Sequence, residues 1–491
     1  MKRPPFSRVE IVLLAASLLV AVLYFYHVPK NPDGFFIDEA SIAYNAHTIA
    51  QSGADEYNET LPLYFRAFGE YKSPVYIYLL AAVFRFTGPS VLVARLFSAF
   101  AGLTAAVLFG LLGARLSSRR TVGLIVFLAA ALTPWLFEVN RLVFEVALLP
   151  AIVALFLLLL QRAAKREQWS LPIATALGAS LGLIVYTYSV GRLLAPLFAL
   201  GLVFFFTRRR WRSVVLVWIV FGITLLPLAV FAVRHPGALS ERFKFVTYIK
   251  PEDTRSQIAL RFVQNYAGNF SPRSWLLHGD PEPRHHLPGM GSLLVGMVAL
   301  AALGLILVLL RRRQDAWWRF IIYGLLVSPI PASLTLDHFH TLRLITLPCF
   351  LLVLLVPALE FLLNESEPRR NARRAALTAL LLIMILQGAI FLWRFHRALP
   401  REDAFDSYYP ELLAKALARP ERPVYLFDKT PAAYLYAYWY ATVWGVSVDN
   451  FRRLPPGESP PPGAVVIGHE LPCKNCEVII ERGQFQVYRE K

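Results

Sequence analysis

The sequence is dominated by uncharged apolar stretches of about 20 residues, separated by short polar or charged segments. A helix of about this length crosses the hydrocarbon core of a bilayer. Hydrophobic residues make up 56% of the chain and charged residues only 17%, which excludes a disordered, collagen-like or disulfide-rich secreted chain. The stretches do not alternate apolar and polar residues, as the strands of an outer-membrane barrel would. We therefore predict an all-α polytopic membrane protein.

The chain is basic, with 50 Lys and Arg against 33 Asp and Glu and a formal charge of +17. Six short tracts between the apolar stretches hold 21 of the 50 basic residues: 2–8, 115–120, 162–167, 208–212, 311–319 and 369–374. Such tracts mark the cytoplasmic side of a membrane protein. A nucleic-acid-binding surface would need one continuous basic face instead. We expect membrane lipid as a partner and no nucleic acid.

If all six basic tracts lie on the cytoplasmic side, the chain is predicted to have about eleven spans in the plasma (inner) membrane. The N-terminus is then cytoplasmic and the C-terminus outside. The predicted spans are 9–26, 90–114, 121–137, 146–161, 170–187, 193–207, 213–233, 290–310, 319–336, 344–363 and 375–393. The apolar segment 73–86 is too short to span and contains Arg85. It is predicted to be a helix at the outer membrane surface.

Two domains are predicted: a membrane domain, 1–393, and a small α/β domain on the outer face, 394–491. The membrane domain has two large outer loops, 27–89 and 234–289. The smaller domain is predicted from period-2 apolar runs and turn residues. Its predicted elements are strands 423–427 and 464–468, a helix 432–440, a loop 455–463 and a hairpin of 477–481 with 484–488.

The first outer loop contains an acidic pair, Asp38 and Glu39, directly after the first span. Ile42, Ala46 and Ile49 follow at helical spacing, so Asp38 is a plausible helix N-cap. The alternative is functional, because a partly desolvated carboxylate at a membrane surface is suited to general-base chemistry. From the sequence alone the two interpretations have similar weight.

The motif GEYKSP follows in the same loop, with Glu70 two residues before Lys72 and Pro74 opening the surface helix. One interpretation has Lys72 snorkelling to lipid headgroups while Glu70 is solvated. In the other, Lys72 binds a lipid phosphate and Glu70 orients it or holds the acceptor.

Four more charged residues lie at the outer ends of predicted spans: Arg141, Glu145, Arg192 and Arg343. Arg141 and Glu145 are four residues apart and would share one face of a helix, which also fits a simple interfacial salt bridge. Three arginines at one membrane face, together with the acidic loop, indicate an anion site, since Arg suits bidentate phosphate contacts.

Metal ligands are only weakly indicated. His278, His285 and His286 could bind an ion, although adjacent histidines rarely both ligate one metal and are common in solvated loops. The single CxxC, Cys473 and Cys476, cannot form a four-cysteine zinc site and favours a structural disulfide. No cofactor is predicted with certainty, and a divalent metal stays open.

Taken together, these motifs make the chain resemble the family 39 glycosyltransferases of the GT-C superfamily, which include protein O-mannosyltransferases and the bacterial lipid A aminoarabinose transferase. The resemblance covers residues 8–365. It rests on the Asp–Glu pair, GEYKSP and the runs VARLFSAFAG, NRLVFE, YSVGRLLAP and HTLRLITLP.

The resemblance implies an outer-face reaction that transfers a sugar from a polyprenyl-phosphate monosaccharide to a glycan, lipid or protein acceptor. It implies Asp38 as catalytic carboxylate, supported by Glu39. The implied substrate-binding residues are Glu70, Lys72, Arg95, Arg141, Glu145, Arg192 and Arg343. The residue between Glu70 and Lys72 departs from the best-known members and leaves their register open.

A transporter or flippase and a structural scaffold are two functional alternatives to an enzyme. A transporter or flippase of a lipid-linked saccharide tends to have repeated halves and polar residues near the middle of the membrane. This sequence has no visible repeat, and its ionisable residues lie at the outer ends of spans or in loops. A scaffold for the C-terminal domain would leave the acidic loop without a role. The sequence therefore favours a transferase.

Overall fold

The computed structural model describes residues 6–67, 69–364, 369–397, 402–427, 433–455, 458–468 and 476–491. The chain forms two compact units, each built from segments that are distant in sequence. Unit 1 comprises Met1–Tyr26, Ser98–Asn140 and Glu145–Ala398, and unit 2 comprises His27–Phe97, Arg141–Phe144 and Leu399–Lys491. The predicted domain boundary at residue 393 stays a prediction.

The regular secondary structure that is described in unit 1 consists of helices. One helix, Val91–Ser117, begins in unit 2 and enters unit 1 at Ser98. The other helices are Arg8–Phe25, Arg120–Leu132, Pro134–Val139, Glu145–Leu148 (3-10), Leu149–Ala164, Leu171–Thr187, Gly191–Gly201, Leu202–Phe205 (3-10), Trp211–Thr224, Leu226–Arg234, Glu241–Val246, Arg255–Gly268, Ser274–His278 (π), Val295–Arg311, Ala316–Val327, Ile330–Ser333, Thr346–Leu362 and Arg370–Arg397.

Five helical segments among the described residues are long and apolar enough to cross a membrane: Arg8–Phe25, Val91–Ser117, Glu145–Ala164, Trp211–Arg234 and Arg370–Arg397. Shorter apolar helices lie at most of the remaining predicted spans, so the number eleven stays a prediction. The predicted span 319–336 is not one helix. It breaks at Ser328 and Pro329, because proline has no N–H to continue the hydrogen-bond ladder.

The helices differ in how much of their apolar surface other helices cover. Thr346–Leu362 is buried on nearly all sides and packs closely against Val295–Arg311. At Gly304 an added Cβ would come within 1.7 Å of the carbonyl oxygen of Leu354, and such small residues allow membrane helices to approach. In contrast, only 22% of the apolar Trp211–Arg234 is buried. An apolar surface of this kind, left uncovered by protein, fits contact with lipid.

The first outer loop contributes three elements to unit 2. The helix Ile37–Ser52 is followed by a two-stranded antiparallel hairpin, β1 (Phe65–Ala67) and β2 (Glu70–Lys72). The helix Pro74–Thr87 then begins with proline at its first position, where the missing N–H costs nothing. This is the helix predicted at 73–86.

The C-terminal part of unit 2 contains a mixed sheet among its described residues. Its strands are β3 (Val424–Phe427), β4 (Phe451–Arg453), β5 (Val465–Gly468), β6 (Cys476–Arg482) and β7 (Phe485–Glu490), in the order β4-β3-β5-β7-β6. Strand β3 is parallel to β4 and β5, whereas β7 is antiparallel to β5 and β6. The helices are Glu402–Phe405, Tyr409–Leu417, Tyr434–Val443 and the 3-10 turn Val448–Asn450.

The small α/β domain predicted from the sequence is confirmed, including both central strands and the closing hairpin. The short strand β4 and the helix Tyr409–Leu417 were not predicted. Cys476 is disulfide-bonded, and Cys473 lies outside the described residues.

Candidate active site

The carboxylate of Asp38 lies at the start of the helix Ile37–Ser52. Phe36 is the N-cap of this helix, so the prediction that Asp38 is the cap is wrong. Asp38 instead occupies the first turn, because the chain turns helical one residue before it. Backbone N–H groups at a helix N-terminus favour nearby negative charge. The helix therefore provides a favourable position for an ionised carboxylate.

Lys72 joins Asp38 to Glu70. Its Nζ lies 2.5 Å from Asp38 Oδ1 and 3.2 Å from Glu70 Oε1. Glu70 and Lys72 are both in β2, and alternate residues of a strand point to the same face. The intervening Tyr71 therefore does not separate the two side chains, and the roles of Glu70 and Lys72 in binding substrate stay a prediction.

The three side chains of this Asp38–Lys72–Glu70 cluster differ in exposure. Lys72 is 5% exposed, Glu70 17% and Asp38 26%. A lysine that snorkels to lipid headgroups would be exposed, so that interpretation of Lys72 is wrong. The cluster is a buried ammonium held between two carboxylates, of which Asp38 is the more accessible.

Glu39 and Arg95 form a separate ion pair that is completely buried. Arg95 donates from Nη2 to Glu39 Oε2 at 2.9 Å and from Nε to Glu39 Oε1 at 3.1 Å. Glu39 also accepts the backbone N–H groups of Phe36 and Val143 at 2.9 and 3.0 Å. Further Arg95 donors bond to backbone carbonyls within 29–34. These contacts favour a structural role for both residues.

The loop that leads into Asp38 is held by the C-terminal part of unit 2. The Phe35 N–H donates to the carbonyl of Phe405 at 3.0 Å, and the Phe35 ring stacks on Trp439 at a centroid distance of 5.3 Å. Gly34 has φ +82°, and an added Cβ would lie 2.3 Å from the Phe405 oxygen. Only glycine fits this close approach without strain.

A buried hydrogen-bonded group holds the middle of the same helix. Glu56 accepts the Asn45 side-chain amide at 3.0 Å and the Tyr434 hydroxyl at 2.7 Å. Burial raises the pKa of Glu56, and the hydrogen bonds from Asn45 and Tyr434 only partly oppose this effect. Sequence reasoning missed this group. The tyrosine-rich run 432–440 was the available signal, but its partners are hundreds of residues away.

Arg141 and Glu145 do not share a helical face, contrary to the prediction. The preceding helix ends with Asn140 as its C-cap, and a 3-10 turn begins only at Glu145. In the non-helical link between them, the Val143 N–H donates to Glu39 and not to a carbonyl of a helix. Arg141 is fully buried. Its role in binding substrate, like that of Glu145, stays a prediction.

The other two predicted arginines lie in unit 1. Arg192 donates from Nη1 to the carbonyl of Leu239 at 2.9 Å. Arg343 donates to Thr335 Oγ1 at 3.0 Å and forms an ion pair with Asp337. Both side chains therefore have protein partners, and binding of a phosphate by either of them stays a prediction.

One group in unit 1 has the composition of a metal site. Asp280, His285 and His340 each offer one ligand atom, and these atoms lie within 4.8 Å of one another. Burial would raise the pKa of Asp280, but His285, His340 and Thr341 outweigh it and hold that pKa well below its usual value. Burial, Arg343 and His285 lower the pKa of His340 to about 3. An ionised carboxylate and a neutral imidazole are the ligand forms.

Of the three candidate histidines, the structure brings one into this group. His285 belongs to this Asp280–His285–His340 group, whereas His286 is bonded to Glu138 Oε2 at 2.6 Å and to the Met290 carbonyl at 2.7 Å. His278 is exposed and is not in the group. Sequence reasoning missed Asp280 and His340. Asp280 lies between the candidate histidines His278 and His285, and His340 is the first residue of the run HTLRLITLP.

Comparison with known proteins finds similarity of structure alone. No protein-family model matches the sequence, and a search of curated proteins finds no relative. Two solved structures of ArnT from Cupriavidus metallidurans are similar over 98% of this chain and 97% of theirs. The one bound to undecaprenyl phosphate has a TM-score of 0.58 at 13% identity, and the apo structure has 0.51 at 16%.

This similarity extends over nearly the whole of both chains, so it includes the membrane helices and the C-terminal sheet together. It confirms the fold class predicted from the sequence, a polytopic helical membrane protein with a small C-terminal α/β domain. The chain has the GT-C fold.

Proposed function

We propose that the protein is an integral-membrane glycosyltransferase that moves a sugar from a polyprenyl-phosphate monosaccharide to an acceptor on the outer face. The observation that carries this proposal is the Asp38–Lys72–Glu70 cluster. It combines an accessible carboxylate with a buried cation in the fold of ArnT, one of whose solved structures is bound to undecaprenyl phosphate.

The reaction is a single displacement at the anomeric carbon of the sugar. The acceptor hydroxyl or amine attacks, its proton passes to Asp38, and the bond from the anomeric carbon to the phosphate oxygen breaks. Polyprenyl phosphate leaves with the electron pair and needs no proton, since phosphate is already a good leaving group. A positioned base of this kind contributes roughly 10²–10⁴-fold to the rate.

Lys72 stabilises the charge that develops on the departing phosphate. An ammonium has three N–H donors in a flexible arrangement, so it can contact a phosphate oxygen while it keeps a carboxylate partner. Glu70 limits the positions that the ammonium can take. A fixed cation aimed at developing charge is the usual way to lower such a barrier.

The charge balance of the cluster calls for a further cation. Two carboxylates and one ammonium leave a formal charge of −1 before the anionic donor arrives. Arg141, which is buried in the same unit, is the candidate that we favour. Arg95 is less suitable, because its guanidinium is bonded to Glu39 and to backbone carbonyls.

The experiment is a donor-consumption assay on the full-length protein in lipid vesicles. A panel of polyprenyl-phosphate sugars is supplied with a membrane extract as acceptor source, and mass spectrometry measures the polyprenyl phosphate released. Asp38→Asn is compared with wild type. Asp33→Asn is the matched control, since Asp33 is an exposed carboxylate in the same loop, and Asn can keep its bond from the Gly34 N–H.

Sugar-dependent release that Asp38→Asn abolishes and Asp33→Asn preserves supports the transferase and identifies its donor. Equal release by both variants means that Asp38 is not the base. A protein that moves donor lipid between leaflets without releasing polyprenyl phosphate is a flippase, and the proposal then fails.

A further inference from the structure

The Asp280–His285–His340 group joins two loops of unit 1. Asp280 and His285 belong to the second large outer loop, and His340 lies in the segment before the helix Thr346–Leu362. Asp280 Oδ2 is 3.5 Å from His285 Nδ1, and the rings of His285 and His340 have a centroid distance of 4.9 Å. Residues 55 positions apart in sequence therefore direct their ligand atoms to one place.

The carboxylate of Asp280 is held in a fixed orientation. Its Oδ2 accepts both the backbone N–H and the Oγ1 hydroxyl of Thr341 at 2.7 Å each. Its Oδ1 accepts the N–H of Glu282 at 2.9 Å. Hydrogen bonds of this kind orient the ligating carboxylates of metal sites, and their removal typically costs 10–100-fold in affinity.

The group is also protected from water. The side chain of Asp280 is 2% exposed and that of His285 6%, and His340 is half-buried. A buried carboxylate beside two imidazoles is costly unless something compensates its charge. The partners of Asp280 are N–H and O–H donors and the imidazole of His285, and a bound cation would add to the stabilisation of its charge.

The distances suit a small ion. Two ligands that are each about 2.0–2.1 Å from a tetrahedral zinc lie roughly 3.4 Å from each other, close to the 3.5 Å between Asp280 and His285. The widest separation in the group stays within 4.8 Å, so modest side-chain rotations close it around one ion. His286 does not compete, since Glu138 and Met290 hold its ring.

We propose that Asp280, His285 and His340 bind one divalent transition metal of the zinc class. Two imidazoles and one carboxylate are a borderline donor set, which favours zinc over magnesium or calcium. A water molecule completes the coordination. The metal fastens the second outer loop to the segment that carries Arg343. This site is independent of the function proposed above.

The experiment measures metal binding by the intact, tag-free protein in detergent. The protein is treated with chelator, dialysed against zinc and washed, and bound metal is counted by mass spectrometry. We expect one zinc per chain and a rise in the unfolding temperature on zinc addition, because a ligand that binds only the folded state stabilises it.

The variants separate this site from adventitious binding. We expect Asp280→Asn and His340→Ala to lose the bound zinc and the thermal shift. Thr341→Val, which removes one bond to Asp280, should weaken binding about 10–100-fold. His338→Ala is the matched control, as it removes an exposed histidine two positions from His340, and it should bind like wild type.

Cobalt substitution tests the site in the wild-type protein, so this test still applies if the variants do not fold. Cobalt in the wild-type protein should give the intense visible bands of a four-coordinate site with nitrogen and oxygen ligands. Absence of stoichiometric metal together with absence of these bands overturns the proposal. So does zinc that persists at wild-type affinity in folded Asp280→Asn and His340→Ala.

Discussion

Asp38 and Glu39 are neighbours in sequence, yet the fold uses them in opposite ways. Asp38 is 26% exposed and pairs with a lysine, whereas Glu39 is completely buried and bonded to Arg95 and two backbone N–H groups. One carboxylate stays partly accessible, as the proposed base must be, and the other fastens a loop. Two neighbouring carboxylates of one motif can therefore have different surroundings and different roles.

The helix start accounts for this separation. Residues Asp38 and Glu39 both lie in the first turn, but successive positions on a helix are rotated by about 100°. Glu39 therefore turns into the protein, where it also accepts the N–H of the N-cap residue Phe36, while Asp38 points towards Lys72. Four predictions test whether this division of roles is real.

The largest expected effect is on catalysis. Asp38→Asn removes the base but keeps the shape of the side chain, so we expect donor consumption to fall by about 10²–10⁴-fold. Because Asp38 is partly exposed, the unfolding temperature should change little. Both quantities are measured on the same purified protein. If Asp38→Asn loses stability in proportion to its loss of activity, Asp38 has a structural role like that of Glu39.

The next effect is on stability. Arg95→Ala leaves the Glu39 carboxylate buried without its cation, which typically costs about 3–5 kcal/mol. We expect a large fall in the unfolding temperature. The double variant Glu39→Gln with Arg95→Met should be less destabilised than Arg95→Ala, because no buried charge remains. If Arg95→Ala folds normally and fails only to bind donor, the pair is not structural.

Lys72 should show a smaller and more specific effect. Lys72→Gln removes one charge-assisted contact to the departing phosphate, worth about 1.5–3 kcal/mol, so we expect kcat/KM for the donor to fall about 10–100-fold, mainly through kcat. The KM for the acceptor should change less. Glu70→Gln, which keeps a hydrogen-bond acceptor beside Lys72, is the comparison variant. A purely structural role for Lys72 would lower stability and leave kcat of the folded protein unchanged.

Patterns that act over short distances were predictable from the sequence. The apolar stretches, the proline that opens Pro74–Thr87 and the closing hairpin β6–β7 all follow from local rules. The pairing of Glu70 with Lys72 also became clear once β2 was known to be a strand, since period 2 places both on one face.

Long-range partners could not be predicted. Nothing local to Glu39 indicates that Arg95, 56 residues later, occupies both of its oxygens. The helical spacing of Arg141 and Glu145 was misleading too, because the helix ends before Arg141 and the N–H of Val143, between the two residues, bonds to the distant Glu39. The Asp280–His285–His340 group required the fold to bring two loops together.

The smallest effect is a pH dependence at Glu56, the half-buried carboxyl that bonds to Asn45 of the helix Ile37–Ser52. Burial raises its pKa above the value in the unfolded chain, against the hydrogen bonds of Asn45 and Tyr434. A raised carboxyl pKa contributes stability at low pH, and this contribution is lost as pH rises through the folded-state value.

Glu56→Gln keeps an acceptor oxygen but cannot ionise. We therefore expect wild type to lose stability relative to Glu56→Gln as the pH rises above the ordinary glutamate pKa of about 4.3, measured as unfolding temperatures across a series of pH values. If the unfolding temperatures of wild type and Glu56→Gln change with pH in parallel, the two hydrogen bonds fully compensate the charge of Glu56. Glu56 would then be a structural carboxylate like Glu39.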